Sequence, residues 1–247
     1  MTMKKKPHPM TGRQTRPALH RRFALLALIA AGAASAAASE TVFEDTFAQD
    51  DSVHYALEGG LWTYDAKRRA FGMEKALDRD NETMSAIRKQ VALPRAFTLE
   101  AEFTADGAGG GGLLIQDPAS GHYAFACLGL GKAEEGGRWV VAWIIYSYPE
   151  TNWGYLRQTK KFVPDLTDFK FTLQLTRVAG SDELEFTVDN NQTGPLQTQV
   201  APGMTGDEGN ELLPSWVKTL NAFSVAGLRG YDSKGFWSRV KLIDLGK

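Results

Sequence analysis

The chain has 247 residues, with 28 Lys and Arg against 29 Asp and Glu, 43% hydrophobic residues and a single cysteine. That length suits one β-sandwich or two small domains with a sizeable core, and the composition excludes wholesale disorder. One cysteine, Cys127, excludes an internal disulfide and any zinc cluster built on several thiolates.

The N-terminus differs from the rest. Residues 1–38 hold Lys4, Lys5, Lys6, Arg13, Arg16, Arg21 and Arg22 and no acid, and an apolar run over 23–38 ends in small residues. A basic region, a short apolar run and an Ala-x-Ala site predict a secretory signal peptide, cleaved after Ala36 or Ala38. The run is shorter than the ~20 residues a spanning helix needs, so no membrane span is expected after cleavage. Arg21-Arg22 stands directly before the apolar run, in the style of a twin-arginine signal, with Sec export as the alternative. The expected destination is the periplasm or the medium. Without residues 1–38 the chain carries 21 basic and 29 acidic residues, a net charge of −8. An acidic domain is a poor fit to a phosphate backbone, which sets nucleic acid aside as a partner.

From Glu40 onward the pattern is strand-like. In 97–103 Phe97, Leu99, Ala101 and Phe103 face one way, and Thr98, Glu100 and Glu102 the other. Residues 169–176 and 183–189 repeat that alternation, which predicts half-buried antiparallel strands. Residues 121–131 and 138–148 are more uniformly apolar, as expected of central strands covered on both faces. The 107–112 run, Gly-Ala-Gly-Gly-Gly-Gly, reads as a flexible loop between two strands. Turn residues at 117–121, 179–182 and 189–194 separate the runs. One short helix is predicted within 207–220, where Leu212, Leu213, Trp216 and Leu220 recur at helical spacing and Pro214 sets or shortens the first turn. The expectation is a single all-β domain over 39–247, a two-sheet antiparallel jelly-roll sandwich with at most one short helix.

Aromatic residues crowd one segment: Trp139, Trp143, Tyr146, Tyr148, Trp153 and Tyr155. Sugars present flat C–H faces that stack on such rings, while their hydroxyls need polar neighbours. Trp153, Tyr155 and Tyr148, with Asn152, Arg157 and Glu150 beside them, supply both parts from a loop and strand edge. Trp139 and Trp143 are assigned to the core, since they share an apolar strand face with Val141 and Ile145. Catalytic signals are weak. Asp117, Glu150, Asp232 and His122 are the candidates for acid or base, and a solvated turn is the better explanation of His122. Beyond residue 38 only His54 and His122 remain, which excludes a site of several histidines. No G-x-S-x-G elbow occurs. Cys127, in an apolar run, reads as a buried small hydrophobe.

Four stretches carry a family resemblance. Residues 42–47 (VFEDTF) resemble an opening D-x-F strand, and 60–64 (GLWTY) the G-x-W strand after it. Residues 111–117 with 121–125 resemble a central hairpin, and 222–228 with 235–245 a closing pair that returns beside the first strand. Together they resemble the concanavalin A-like jelly roll, the group that includes laminin-G-like domains and 3-keto-disaccharide hydrolase domains. The resemblance implies carbohydrate as partner. It also implies a structural calcium ion, for which Asp45 and Asp244, on the paired first and last strands, are the candidate ligands. The E-x-D-x-x-E strand of the laminarinase-type members is missing, and Glu100 and Glu102 read as polar-face residues. Three functions follow as expectations: an exported carbohydrate-binding protein, a glycoside hydrolase of the 3-keto-disaccharide type, or a non-catalytic envelope interaction module.

Overall fold

Alternating side chains need two buried faces to pack against each other, and the chain supplies two sheets. The computed structural model describes residues 39–59, 61–75, 84–106, 109–134, 136–147, 154–207, 216–231 and 234–246. These lie within one compact unit, Ala37–Lys247. The strands run β1 (Glu40–Asp45), β2 (Tyr55–Glu58), β3 (Leu61–Asp65), β4 (Ala70–Lys75), β5 (Met84–Arg88), β6 (Phe97–Asp106), β7 (Gly109–Gln116) and β8 (Tyr123–Lys132). They continue as β9 (Arg138–Ser147), β10 (Gly154–Val163), β11 (Lys170–Arg177), β12 (Leu184–Asp189) and β13 (Leu196–Val200). Helix α1 (Trp216–Ala222) precedes β14 (Val225–Tyr231) and β15 (Lys234–Asp244).

The first sheet has the order β13-β12-β11-β6-β15-β4-β3, with β1 also paired to β15. The second has the order β10-β9-β8-β7-β14-β5-β2. Every pairing is antiparallel. The alternation read in β6 holds: Phe97, Leu99, Ala101 and Phe103 are buried. Opposite them the second sheet contributes Leu113, Ile115, Ala126, Leu128, Val140, Ala142 and Ile144 to the same core. Each fully buried Leu, Ile, Val or Phe is worth about 1.5–3 kcal/mol against exposure, so this seam holds the sheets together.

Three expectations change. Gly109–Gly112 form the start of β7 rather than a loop. Gly111 lies where a Cβ would stand 2.5 Å from the Phe103 ring, so these glycines answer to close packing. The helix occupies Trp216–Ala222, running two residues past Leu220, while Leu212, Leu213 and Pro214 fall outside the described residues. Finally, of the closing pair only β15 lies beside β1; β14 belongs to the other sheet, between β7 and β5.

Candidate functional site

The second sheet has two apolar faces, and only one of them is core. Inward positions on β8 and β9 are Ala124, Ala126, Leu128 and Leu130, then Val140, Ala142, Ile144 and Tyr146. The alternate positions therefore point away from the core. Register sets Phe125 beside Ile145, Cys127 beside Trp143, Gly129 beside Val141 and Gly131 beside Trp139. On the next strand Trp143 meets Gln158, Val141 meets Lys160 and Trp139 meets Phe162. This corrects the assignment of Trp139 and Trp143 to the core. Trp139 is 38% exposed and Phe162 37%, with ring centroids 5.4 Å apart. An apolar strand can bury either face, and alternation alone does not say which one meets the other sheet.

The glycines of this face give its rings room. A Cβ at Gly129 would sit 3.6 Å from the Trp143 ring, and one at Gly131 would sit 3.7 Å from Trp139. Trp143 also hydrogen-bonds the Cys127 side chain. That thiol is fully buried and donates to the Leu128 carbonyl at 3.1 Å. Burial pushes its pKa far above the usual thiol value, so Cys127 is inert, as a buried small hydrophobe should be.

Across the sheet, β14 adds Arg229, in register with Gly112 on β7 and Ser85 on β5. Its guanidinium carbon lies 4.2 Å from the Tyr123 ring centroid and 5.4 Å from that of Phe125. The side chain thus reaches diagonally over the face to cover aromatic carbon, an attraction worth about 0.5–2 kcal/mol depending on desolvation. Lys160 lies over Trp139 at 5.4 Å. Sequence reasoning does not find Arg229, because nothing local marks it and it lies about a hundred residues from its aromatic partners. Tyr123 and Phe125 were readable only as members of an apolar strand, and Phe162 lies on β10, a strand not predicted from the sequence.

The sequence candidates are dispersed. Tyr148, Glu150, Asn152, Trp153 and Asp232 lie outside the described residues. Tyr155 is placed by its backbone alone, opposite Tyr146 on the inward-facing row. Arg157 follows on that row and donates to the Thr205 carbonyl at 2.9 Å, so it points away from the Trp139–Trp143 face. Asp117 is held by its own turn: Ser120 Oγ donates to it at 2.5 Å and the Ala119 N–H at 3.0 Å. The Ser120 hydrogen bond, with those backbone donors, keeps its carboxyl below the ordinary range. His122 Nδ1 is 2.9 Å from the Tyr146 hydroxyl. Tyr146 is fully buried and packs edge-on against Trp216, under α1. Asp117 and His122 therefore fill structural places at the β7–β8 turn.

Calcium does not fit the proposed pair. Asp45 pairs with Val240 and Asp244 with Glu40, so the two acids sit at opposite ends of the β1–β15 ladder. Asp45 accepts from the Tyr55 hydroxyl at 2.9 Å and has Arg88 Nε at 2.8 Å, while Asp244 accepts the Gly246 N–H at 2.8 Å. Among the described residues no group of three or more His, Cys, Asp or Glu is placed to hold a metal.

No protein-family model matches the chain, and no curated protein matches it in sequence. Solved structures do match in fold. The seed lectin of Lotus tetragonolobus superposes with a TM-score of 0.51 at 8% identity, over 84% of this chain and all of that one. A legume lectin-like domain from Entamoeba histolytica gives 0.48 at 10% identity, over 78% and 91% of the two chains. At such identities the likeness establishes the fold alone, a concanavalin A-like jelly roll, and gives no support to the 3-keto-disaccharide hydrolase resemblance.

Proposed function

We propose that the protein is an exported carbohydrate-binding jelly roll that holds a glycan on the outer face of its second sheet. The observation that carries this reading is the outward pair Trp139 and Trp143, seated on a glycine row with Phe162 alongside. The exposed part of this patch is the Trp139 and Phe162 end, with Trp143 half-buried and Phe125 and Cys127 buried, and soluble proteins rarely leave exposed aromatic pairs without a use. Gly129 and Gly131 put no side chain between the two rings, and Gln158 and Lys160 on β10, the latter over the Trp139 ring, stand next to them as hydroxyl partners. The lectin fold supports carbohydrate as the class of ligand. Tyr148, Asn152 and Trp153 fall between β9 and β10 in the chain and would extend the platform, whereas Tyr155 and Arg157 lie on the opposite row.

Binding is favoured over hydrolysis. Glycoside hydrolysis needs two carboxyl groups about 5–10 Å apart across the scissile bond. The outward positions of β7, β8, β9, β10 and β14 carry no Asp or Glu. The test is affinity electrophoresis of residues 37–247 through gels cast with a panel of polysaccharides. The expected result is retardation by at least one of them that Trp139→Ala abolishes without lowering the melting temperature. Retardation unchanged in Trp139→Ala would place the ligand elsewhere.

A further inference from the structure

The charge on this face identifies the class of sugar, an inference that rests on the glycan-binding reading above. The two outer faces of the sandwich are built differently. On the first sheet every cation near the centre meets a carboxylate: Arg239 contacts Glu44 and Glu100 at 2.8 Å each, and Lys170 contacts Glu102 at 2.7 Å. On the second sheet the outward positions of the five strands from β10 to β14 carry half-buried Arg229, exposed Lys160 and no acid; Glu58 on β2, which accepts from Ser85 at 3.1 Å, stands two strands beyond Arg229, and Asp207 holds the backbone N–H of Gln158. Neither cation forms an ion pair with any described residue; both lie over aromatic rings instead. This occurs in a domain whose net charge beyond residue 38 is −8. Two cations without carboxylate partners on the central strands of this face, within an acidic domain, favour an anion there.

The spacing suits a chain rather than one sugar. Arg229, Gly112, Cys127 and Trp143 stand in one row on four adjacent strands. Neighbouring strands lie about 4.8 Å apart, so Arg229 and Trp143 are roughly 14 Å apart at their backbones. Between them come a glycine and a buried thiol, and neither projects. An Arg lying flat on Tyr123 still presents its N–H edge, whose fork matches a carboxylate or sulfate in bidentate fashion.

We propose that the glycan is anionic, a uronate- or sulfate-bearing polysaccharide, with an acidic group seated on Arg229 and a neighbouring ring stacked on Trp143. The experiment runs residues 37–247 through gels cast with polygalacturonate, dextran sulfate, or the neutral chains dextran, laminarin and galactomannan. Retardation by polygalacturonate is expected for a carboxylate site and by dextran sulfate for a sulfate site, with the neutral chains inactive. Arg229→Gln should weaken binding about tenfold or more, the loss of one charge-assisted contact. Arg229→Lys, which keeps the charge and loses the fork, should fall between. Arg68→Gln, on the β3–β4 turn of the other sheet, should match wild type, with melting temperatures confirming that all variants fold. Retardation by a neutral chain alone, or acidic binding untouched by Arg229→Gln, overturns the anionic assignment and leaves glycan binding standing. No retardation by any of the five removes both.

Discussion

Asp45 is buried with both carboxylate oxygens occupied, by the Tyr55 hydroxyl at 2.9 Å and by Arg88, whose Nε and Nη2 lie 2.8 and 3.3 Å away. Arg88 also covers the Phe43 and Tyr55 rings. The group ties β1 to β2 and β5, across both sheets. Removing the cation would strand a buried anion, so Arg88→Met should cost about 3 kcal/mol in urea unfolding. Burial first, then the Asp45 charge and its hydrogen bond, holds the Tyr55 phenol well above its usual pKa. The folded state therefore keeps a proton that the unfolded chain loses near pH 10. Stability from this source is complete below that pH and is lost as pH rises through the folded value. Tyr55→Phe should flatten the alkaline decline in melting temperature; an unchanged slope would assign the decline to other groups. Asp45 also shows the reach of sequence. Its place on a strand paired with the last strand was legible, but its partners Tyr55 and Arg88 come from other strands and took the carboxylate that a calcium site would need.

At the scale of elements, the strands with one wet face were the easiest to read. β6, β11 and β12 alternate because water touches one side, and the alternation reports their orientation directly. β8 and β9 do not alternate, so their existence was legible while the identity of their inner face was not. β15 hides a different device. Its ladder with β6 pairs Trp237 with Phe103 and then Arg239 with Glu102. Ser238 is the extra residue, a bulge that resets the alternation so that Val240 and Leu242 are buried while Arg239 and Lys241 point out. The glycines of β7 were misread because their reason lies in the neighbouring strand: a Cβ at Gly112 would meet the Ala126 carbonyl oxygen. Backbone cannot step aside cheaply, so Gly112→Ala should cost about 1–3 kcal/mol. A melting temperature equal to wild type would mean that β7 can shift. Helix α1 depends on one residue from the first sheet. Buried Arg177 donates to the Leu220 carbonyl at 3.1 Å and to Asn221 Oδ1 at 2.6 Å, closing the helix end. Arg177→Lys keeps the charge and loses the fork. Its expected signature is faster amide exchange in α1, with a cost of about 1–3 kcal/mol from the carbonyl left unpaired.

On the scale of the whole molecule, the sandwich lies within one compact unit, Ala37–Lys247. β1 begins at Glu40, its ladder with β15 starts at the Glu40–Asp244 pair, and the compact unit opens at Ala37. Without residues 1–38 the chain carries a charge of −8, a background against which Arg229 and Lys160 would attract an anionic ligand. Expressed in a Gram-negative host, the protein should be recovered outside the cytoplasm beginning at Ala37 or Ser39, as intact-mass measurement would read. Replacing Ala36 and Ala38 together by bulky residues should block cleavage and leave the chain membrane-associated. Recovery of the uncleaved chain from the cytoplasm, with the fold intact, would refute export and leave the sugar-binding face to be explained by a ligand inside the cell.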